Sequence, residues 1–129
     1  LLEGGLERNP TLRGAAVELG AGWVPEMVRR LDWVSKIYSR VDESVRFERT
    51  PSQQIREQLA FTPFPNEDVS RLIDDSNEDL FLFSSDYPHV EGGRNPIGKF
   101  ESYLSSSPDQ VKDKFYSENF LRLWPSAAA

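Results

Sequence analysis

Three short apolar runs, each followed by a segment with helical periodicity, constrain most strongly what this chain can fold into. The runs are GAAVEL at 14–19, LAFTPF at 59–64 and DLFLFSS at 79–85. The last contains four consecutive large apolar residues, the pattern of a strand covered on both faces in a parallel sheet. Strands that alternate with helices predict an α/β fold. Right-handed crossovers between such units predict that the three strands are parallel neighbours, with their carboxyl ends at one edge.

The helices are marked by periodicity and by capping residues. Apolar residues recur every three or four positions at 24–40, with charged residues between them, which predicts an amphipathic helix. A shorter helix is expected near 52–58. Asn66 is expected to cap the next helix, with two carboxylates in its first turn. Two further helices follow the last strand, and Ser107 is expected to cap the second of them, with Pro108 in its first turn.

Composition excludes several classes of partner. The 129 residues include 15 basic and 21 acidic ones, with no basic stripe, so nucleic acid is not an expected partner. No apolar run approaches the ~20 residues of a membrane helix, so no membrane partner is expected. Because there is no cysteine, a metal would have to be held by carboxylate, imidazole or water, and a cytoplasmic location is favoured.

The number of strands points to a part of a larger fold. Three parallel strands leave two open edges and bury too little area to cover both faces of a sheet. The chain also begins with leucine rather than methionine. We therefore interpret the sequence as a fragment of a larger sheet or barrel.

The end of the third run carries the candidate chemistry. Ligands bind at the carboxyl ends of strands in α/β folds, and Asp86 lies within a residue or two of such an end. An aspartate there can ligate a metal, act as a general base or cap a turn, and the pattern alone leaves all three roles open. His89 is the only histidine of the chain and can take part in proton transfer or metal binding.

The segments FSSDYPHVEGG, LLEGGLERNPTLRGAAVELGAGWVPEMVRRLD and FYSENFLRLW together resemble the carboxyl-terminal part of the amidohydrolase-2 family of metal-dependent hydrolases. That family includes aminocarboxymuconate-semialdehyde decarboxylase and the resorcylate-type decarboxylases. The resemblance implies a partial (β/α)8 TIM barrel, in which residues 1–129 form the last three strand–helix units of the barrel domain. It assigns Asp86 as a metal ligand or catalytic carboxylate. Family members usually carry a histidine where Glu18 stands, and a glutamate there can still ligate a hard metal or accept a proton.

The resemblance also implies a function. The parent protein is expected to be a hydrolase or decarboxylase of a small carboxylated or cyclic substrate, with zinc as the expected metal. Because the family's other histidines lie outside this chain, we expect no tightly bound metal in it and no activity from it alone. Asp86, Glu18 and His89 are the candidate catalytic residues.

Three further residues are candidates for substrate binding. Arg94 can pair with a substrate carboxylate, or it can be a solvated loop residue. Tyr87 and Trp23 can line a pocket, and core packing is the alternative for Trp23.

A competing hypothesis is that the chain is a truncated, inactive remnant that self-associates as a structural module. The apolar side chains at 80–83 are then expected to face water at an open edge, since the first strand of the barrel is absent. Under either hypothesis the expected partner is the missing barrel half or a second copy of the chain.

Overall fold

The computed structural model describes residues 2–128, which form a small parallel sheet surrounded by helices. In chain order the elements are α1 (Gly5–Arg8), β1 (Gly14–Ala16), α2 (Val24–Tyr38), α3 (Pro51–Gln58), β2 (Leu59–Phe61), α4 (Val69–Asp74), α5 (Pro96–Tyr103), α6 (Asp109–Asp113) and α7 (Asn119–Leu123). A π-helical turn, Lys114–Glu118, joins α6 to α7. Short 3-10 turns occur at Glu43–Val45, Glu78–Leu80, Val90–Gly92 and Pro125–Ala128.

The sheet confirms the predicted parallel order. β1 and β2 pair in parallel, with Ala15 opposite Ala60. The third apolar run adds one parallel bridge, between Phe81 and Phe61. The amide of Leu82 donates to the Phe61 carbonyl at 2.9 Å. All three runs therefore point the same way, and their carboxyl ends share one edge.

The third run is nevertheless not the full strand that we predicted. Its first part, Glu78–Leu80, is a 3-10 turn capped by the Asn77 side chain, which accepts from the amide of Asp79. After Leu82 the chain leaves the ladder, because the amide of Phe83 donates to the carbonyl of Phe115 in the π-helical turn. At Phe83 the hydrogen-bond partner of the third run is therefore the π-helical turn and not another strand.

The expectation that the apolar side chains of the third run face water is also wrong. Leu80, Phe81 and Leu82 are buried, with at most 5% exposure. Leu80 and Phe81 pack into a core that includes Phe100 of α5 and Phe115 of the π-helical turn, whereas Leu82 packs with Leu123 of α7 in a second cluster. The Asn119 side chain of α7 donates to the carbonyls of Glu78 and Phe81. The helices that follow the run therefore cover its side chains and satisfy part of its backbone.

The positions of the helices agree with the predictions, whereas two of the predicted capping residues are wrong. α2 is amphipathic as predicted and ends at Tyr38, and α3 begins at a capping box between Thr50 and Gln53. α4 is capped by Asp68 rather than Asn66, because the Glu67 amide closes a turn onto the Phe64 carbonyl. α6 begins after Pro108, and Ser107 does not cap it: its amide donates to the Leu104 carbonyl in the turn that ends α5.

None of the helices within residues 2–128 has the length and apolar character that crossing a membrane requires.

Candidate metal centre

Two residues at the carboxyl edge of the sheet have an unusual backbone conformation. Glu18 (φ 61°) and Asp86 (φ 56°) are the two non-glycine residues with positive φ within the described range. This left-handed conformation is uncommon for residues with a side chain, and its cost persists where the surrounding structure enforces it. Both residues were predicted site residues. The backbone strain and the sequence pattern therefore indicate the same site.

Glu18, Asp86 and His89 form a compact cluster. The Nδ1 atom of His89 lies 2.6 Å from Oε1 of Glu18 and 3.4 Å from Oδ1 of Asp86. One ligand atom from each residue lies within 4.8 Å of the others, and no second group of three such residues occurs in residues 2–128. The prediction that the carboxyl ends of the strands share one edge is confirmed, and this edge brings Glu18 and Asp86 together.

The cluster has one buried member and two exposed ones. The side chain of Asp86 is 6% exposed, whereas those of Glu18 and His89 are each 53% exposed. Oδ2 of Asp86 is buried and has no hydrogen-bond partner within the described part of the chain. A buried carboxylate oxygen without a partner is costly, and a cation is the partner that suits it.

The chemistry of the cluster fits a divalent metal ion. Two carboxylates and one imidazole are ligands that zinc accepts, and three protein ligands are typical of catalytic zinc sites, which keep a position for water or substrate. The orphaned oxygen of Asp86 and the spacing within the cluster fit this requirement. The residues that would hold the metal are Asp86, Glu18 and His89.

The loop that carries Asp86 is folded tightly on itself. The amide of His89 donates to the carbonyl of Asp86 at 2.8 Å, which fixes the spacing of the two side chains. Gly92 lies directly beneath this loop, and a Cβ atom there would stand 2.4 Å from the carbonyl oxygen of Ser85. Only glycine permits this approach. Gly92 is thus a residue that the site requires and that we did not predict.

The loop that carries Glu18 is held by neighbouring backbone and side-chain contacts. The amide of Glu18 donates to Oγ1 of Thr62 at 3.4 Å. Further on, the amides of Ala21 and Gly22 donate to the Glu67 carboxylate, which also accepts from the amide of Phe64. Our prediction placed Glu67 in the first turn of a helix. Its contacts with Ala21 and Gly22, which are 46 and 45 residues away in sequence, lie outside what local patterns show.

A cavity of about 520 Å³ opens over the cluster. It is lined by Glu18, Phe64, Asp86, Pro88, His89, Val90 and Glu91. A neighbouring cavity of about 200 Å³ shares Glu91 with it and includes Arg94. Arg94 is therefore beside the site and not in it. A larger cavity, of about 680 Å³, lies against Trp33 and Tyr38 of α2, where none of the three cluster residues is found.

The other two predicted substrate residues are not brought into the site cavity. Tyr87 is 88% exposed, directly after Asp86 in the chain. Trp23 packs edge-on against Phe61, with ring centroids 5.4 Å apart, and its Nε1 donates to the carbonyl of Gly20. Of the six predicted residues, the structure brings together Asp86, Glu18 and His89.

Two solved structures are similar to the chain over almost all of its length. An amidohydrolase from Mycobacterium avium subsp. paratuberculosis K-10 has a TM-score of 0.76 and 27% sequence identity, and the match covers 93% of this chain. The 5-carboxyvanillate decarboxylase LigW from Sphingomonas paucimobilis has a TM-score of 0.66 and 19% identity, over 96% of this chain. The chain has the fold of the matching parts of both proteins.

The match covers a minority of each of these proteins. The chain spans 30% of the length of the amidohydrolase and 37% of the length of the decarboxylase. Neither a family model nor a curated protein sequence matches the chain significantly.

Proposed function

We propose that this chain supplies the carboxyl-terminal part of the active site of a metal-dependent hydrolase or decarboxylase. The substrate class is a small carboxylated or cyclic molecule. Residues 1–129 would form the last three strand–helix units of an amidohydrolase-like (β/α)8 barrel, and other parts of a parent protein would supply the remaining strands. The similarity to the M. avium amidohydrolase over 93% of the chain supports this assignment.

The buried carboxylate of Asp86 is the observation that carries the proposal. It stands at the carboxyl edge of a parallel sheet, where α/β enzymes place their catalytic groups. Its left-handed backbone and its unpartnered Oδ2 are unfavourable for folding. A residue that destabilises the fold in two ways, beside an imidazole and a second carboxylate, is typical of a functional site.

The three side chains would have different roles. A bound divalent metal ion would polarise a substrate oxygen or activate a water molecule. The side chain of Asp86 is buried, and its Oδ2, which has no partner within residues 2–128, would bind the cation. His89, half exposed at the mouth of the cavity, would supply a ring nitrogen to the metal ion. Glu18 contacts Nδ1 of His89 and so orients the ring.

Arg94 would bind the carboxylate of the substrate. It is exposed, and within residues 2–128 it makes no hydrogen bond or ion pair. Its guanidinium group matches the two oxygens of a carboxylate. The cavity that it lines shares Glu91 with the site cavity, which gives a short path between the two. Tyr87, exposed beside Asp86, would contact the substrate from the rim.

The test uses the parent protein expressed in full. We expect a stoichiometric divalent metal, together with hydrolysis or decarboxylation of small carboxylated substrates, the latter measured as release of CO2. Asp86→Ala should abolish activity while leaving the circular dichroism spectrum unchanged. Asp109→Ala is the matched control, because Asp109 is 99% exposed and remote from the cluster. Full activity in Asp86→Ala would refute the assignment.

A second candidate function is a self-associating, inactive remnant, and the edge of β1 favours it. Among the described residues, β1 pairs only with β2, so its other edge is open. Val17 and Leu19, just beyond β1, are 54% and 64% exposed. An open strand edge beside apolar side chains favours association, here with the missing barrel half or a second copy. Light scattering at micromolar concentration distinguishes the two: a monomer that remains folded argues against the remnant.

A further inference from the structure

The carboxylate of Glu67 lies between the loops that follow β1 and β2. Its Oε1 accepts from the amide of Gly22 at 2.7 Å, and its Oε2 accepts from the amide of Phe64 at 2.7 Å. The amide of Ala21 donates to both oxygens, at 2.9 Å and 3.2 Å. Glu67 therefore ties the loop that carries Glu18 to Phe64, which lines the site cavity.

The loop after β1 is shaped to receive this carboxylate. A Cβ atom on Gly22 would stand 3.0 Å from Oε1 of Glu67, and one on Gly20 would stand 3.2 Å from both oxygens. Gly20 also has a φ of 62°, in the left-handed region that glycine adopts at no steric cost. The two glycines on either side of Ala21 thus make room for a side chain that comes from a distant part of the chain.

Glu18 lies in a short span that is fixed at both ends. On one side the carbonyl of Ala16 accepts from the amide of Thr62 at 3.2 Å. On the other side the span ends at Ala21, which Glu67 holds. Between these points the amide of Glu18 makes one long hydrogen bond to the opposite loop within residues 2–128, at 3.4 Å to Oγ1 of Thr62. Because the left-handed conformation of Glu18 is costly, the fixed ends are what keep it in place.

We propose that Glu67 is a positioning residue, which keeps the Glu18 carboxylate within reach of His89 and Asp86 and thereby sets the affinity of the centre for a divalent cation. This inference rests on the proposed function of the centre. Glu67 acts through the backbone of 18–22, and its own oxygens are occupied by amides. It is not itself a ligand.

The test is the isosteric substitution Glu67→Gln. A glutamine keeps the size of the side chain but has one oxygen, so it can accept from one loop only, and its NH2 group faces the amides of the other. Glu26→Gln is the matched control, since it removes the same charge from an exposed side chain on α2. The probe is Mn²⁺, whose paramagnetic broadening of backbone amide signals reports binding even in the millimolar range.

In the unsubstituted chain we expect Mn²⁺ to broaden the amide signals of Glu18, Asp86 and His89. In Glu67→Gln the Mn²⁺ concentration at half-broadening should rise about 10- to 100-fold, the usual effect of removing a group that orients a ligand. Glu26→Gln should leave the titration unchanged.

The outcomes separate the two proposals. If the unsubstituted chain shows no broadening at these amides, the metal centre itself is refuted and the role of Glu67 with it. If it does, and Glu67→Gln titrates in the same way, only the positioning role is refuted. A double-mutant cycle excludes a general effect on stability: in a Glu18→Gln background, Glu67→Gln should weaken Mn²⁺ binding less than twofold further. Additive losses would contradict a role exerted through Glu18.

Discussion

The Nδ1 atom of His89 lies 2.6 Å from Oε1 of Glu18, although the two residues belong to loops that follow different strands. The parallel sheet makes this contact geometrically available, because it directs both strand ends to one edge. The left-handed backbones of Glu18 and Asp86 then turn the two carboxylates toward the same imidazole. Three residues from two loops thus share one cavity.

The first prediction concerns the cost of Asp86. In the absence of metal, Asp86→Asn should keep the free energy of unfolding within about 1 kcal/mol or raise it, because it removes a buried charge that has no partner on one oxygen. Asparagine also tolerates the left-handed backbone. The same substitution should abolish Mn²⁺ broadening. Urea unfolding followed by circular dichroism is the measurement, and a loss above about 2 kcal/mol would show that Asp86 stabilises the fold.

The catalytic candidates were accessible from the sequence because their signal is local. An apolar run that ends in a polar turn marks the carboxyl end of a strand, and this placed Asp86 and His89 at one site. The amphipathic periodicity of α2 is equally local, and its bounds differ from the prediction only at the last turn. Glu18 was found through the resemblance to a family, since nothing in the run GAAVEL itself singles it out.

The missed features depend on contacts between distant segments. The third run has the composition of a strand, but the amide of Phe83 donates to the carbonyl of Phe115 in the π-helical turn and does not extend the ladder. Composition cannot show which segment supplies a hydrogen-bond partner. The role of Glu67 also depends on distant contacts. Two carboxylates precede α4, and the sequence does not show that Asp68 caps the helix while Glu67 binds the loop after β1.

The second prediction concerns the packing beneath the Asp86 loop. Gly92→Ala should lower the free energy of unfolding by about 1–3 kcal/mol, because its Cβ would overlap the carbonyl oxygen of Ser85, a backbone atom that cannot move alone. It should also weaken Mn²⁺ binding, since the displaced backbone carries Asp86. Gly5→Ala is the control, with open space around its Cβ and a helical position. Equal stability of the two variants would contradict the close approach.

The third prediction concerns zinc in the chain by itself. Two of the three cluster residues, Glu18 and His89, are about half exposed, and His89 is the one histidine of the sequence. After dialysis against buffer we therefore expect less than one equivalent of zinc by atomic absorption. The parent protein should retain its metal under the same treatment. One equivalent that survives dialysis in the chain would show that Asp86, Glu18 and His89 suffice.

The last prediction concerns alkaline pH. Hydrogen bonds to Asp79 and Glu78 raise the pKa of the Lys114 ammonium group. Burial raises the pKa of the Tyr116 hydroxyl, which lies in the same π-helical turn. In both cases the folded state favours the protonated form. The stability that these groups contribute is fully present below their unfolded pKa values, about 10 to 10.4, and is lost as the pH rises through the raised values of the folded state.

The contribution of these groups to the free energy of unfolding, measured with urea, should therefore be constant up to about pH 9. From about pH 10 upward the free energy of unfolding should fall. Lys114→Met should lower stability by about 1 kcal/mol at neutral pH, because Glu78 and Asp79 lose their partner, and should flatten the alkaline fall. Tyr116→Phe should flatten it too, without a loss at neutral pH, since its buried hydroxyl has no hydrogen-bond partner among the described residues. An alkaline fall that persists in the double variant would place its origin elsewhere.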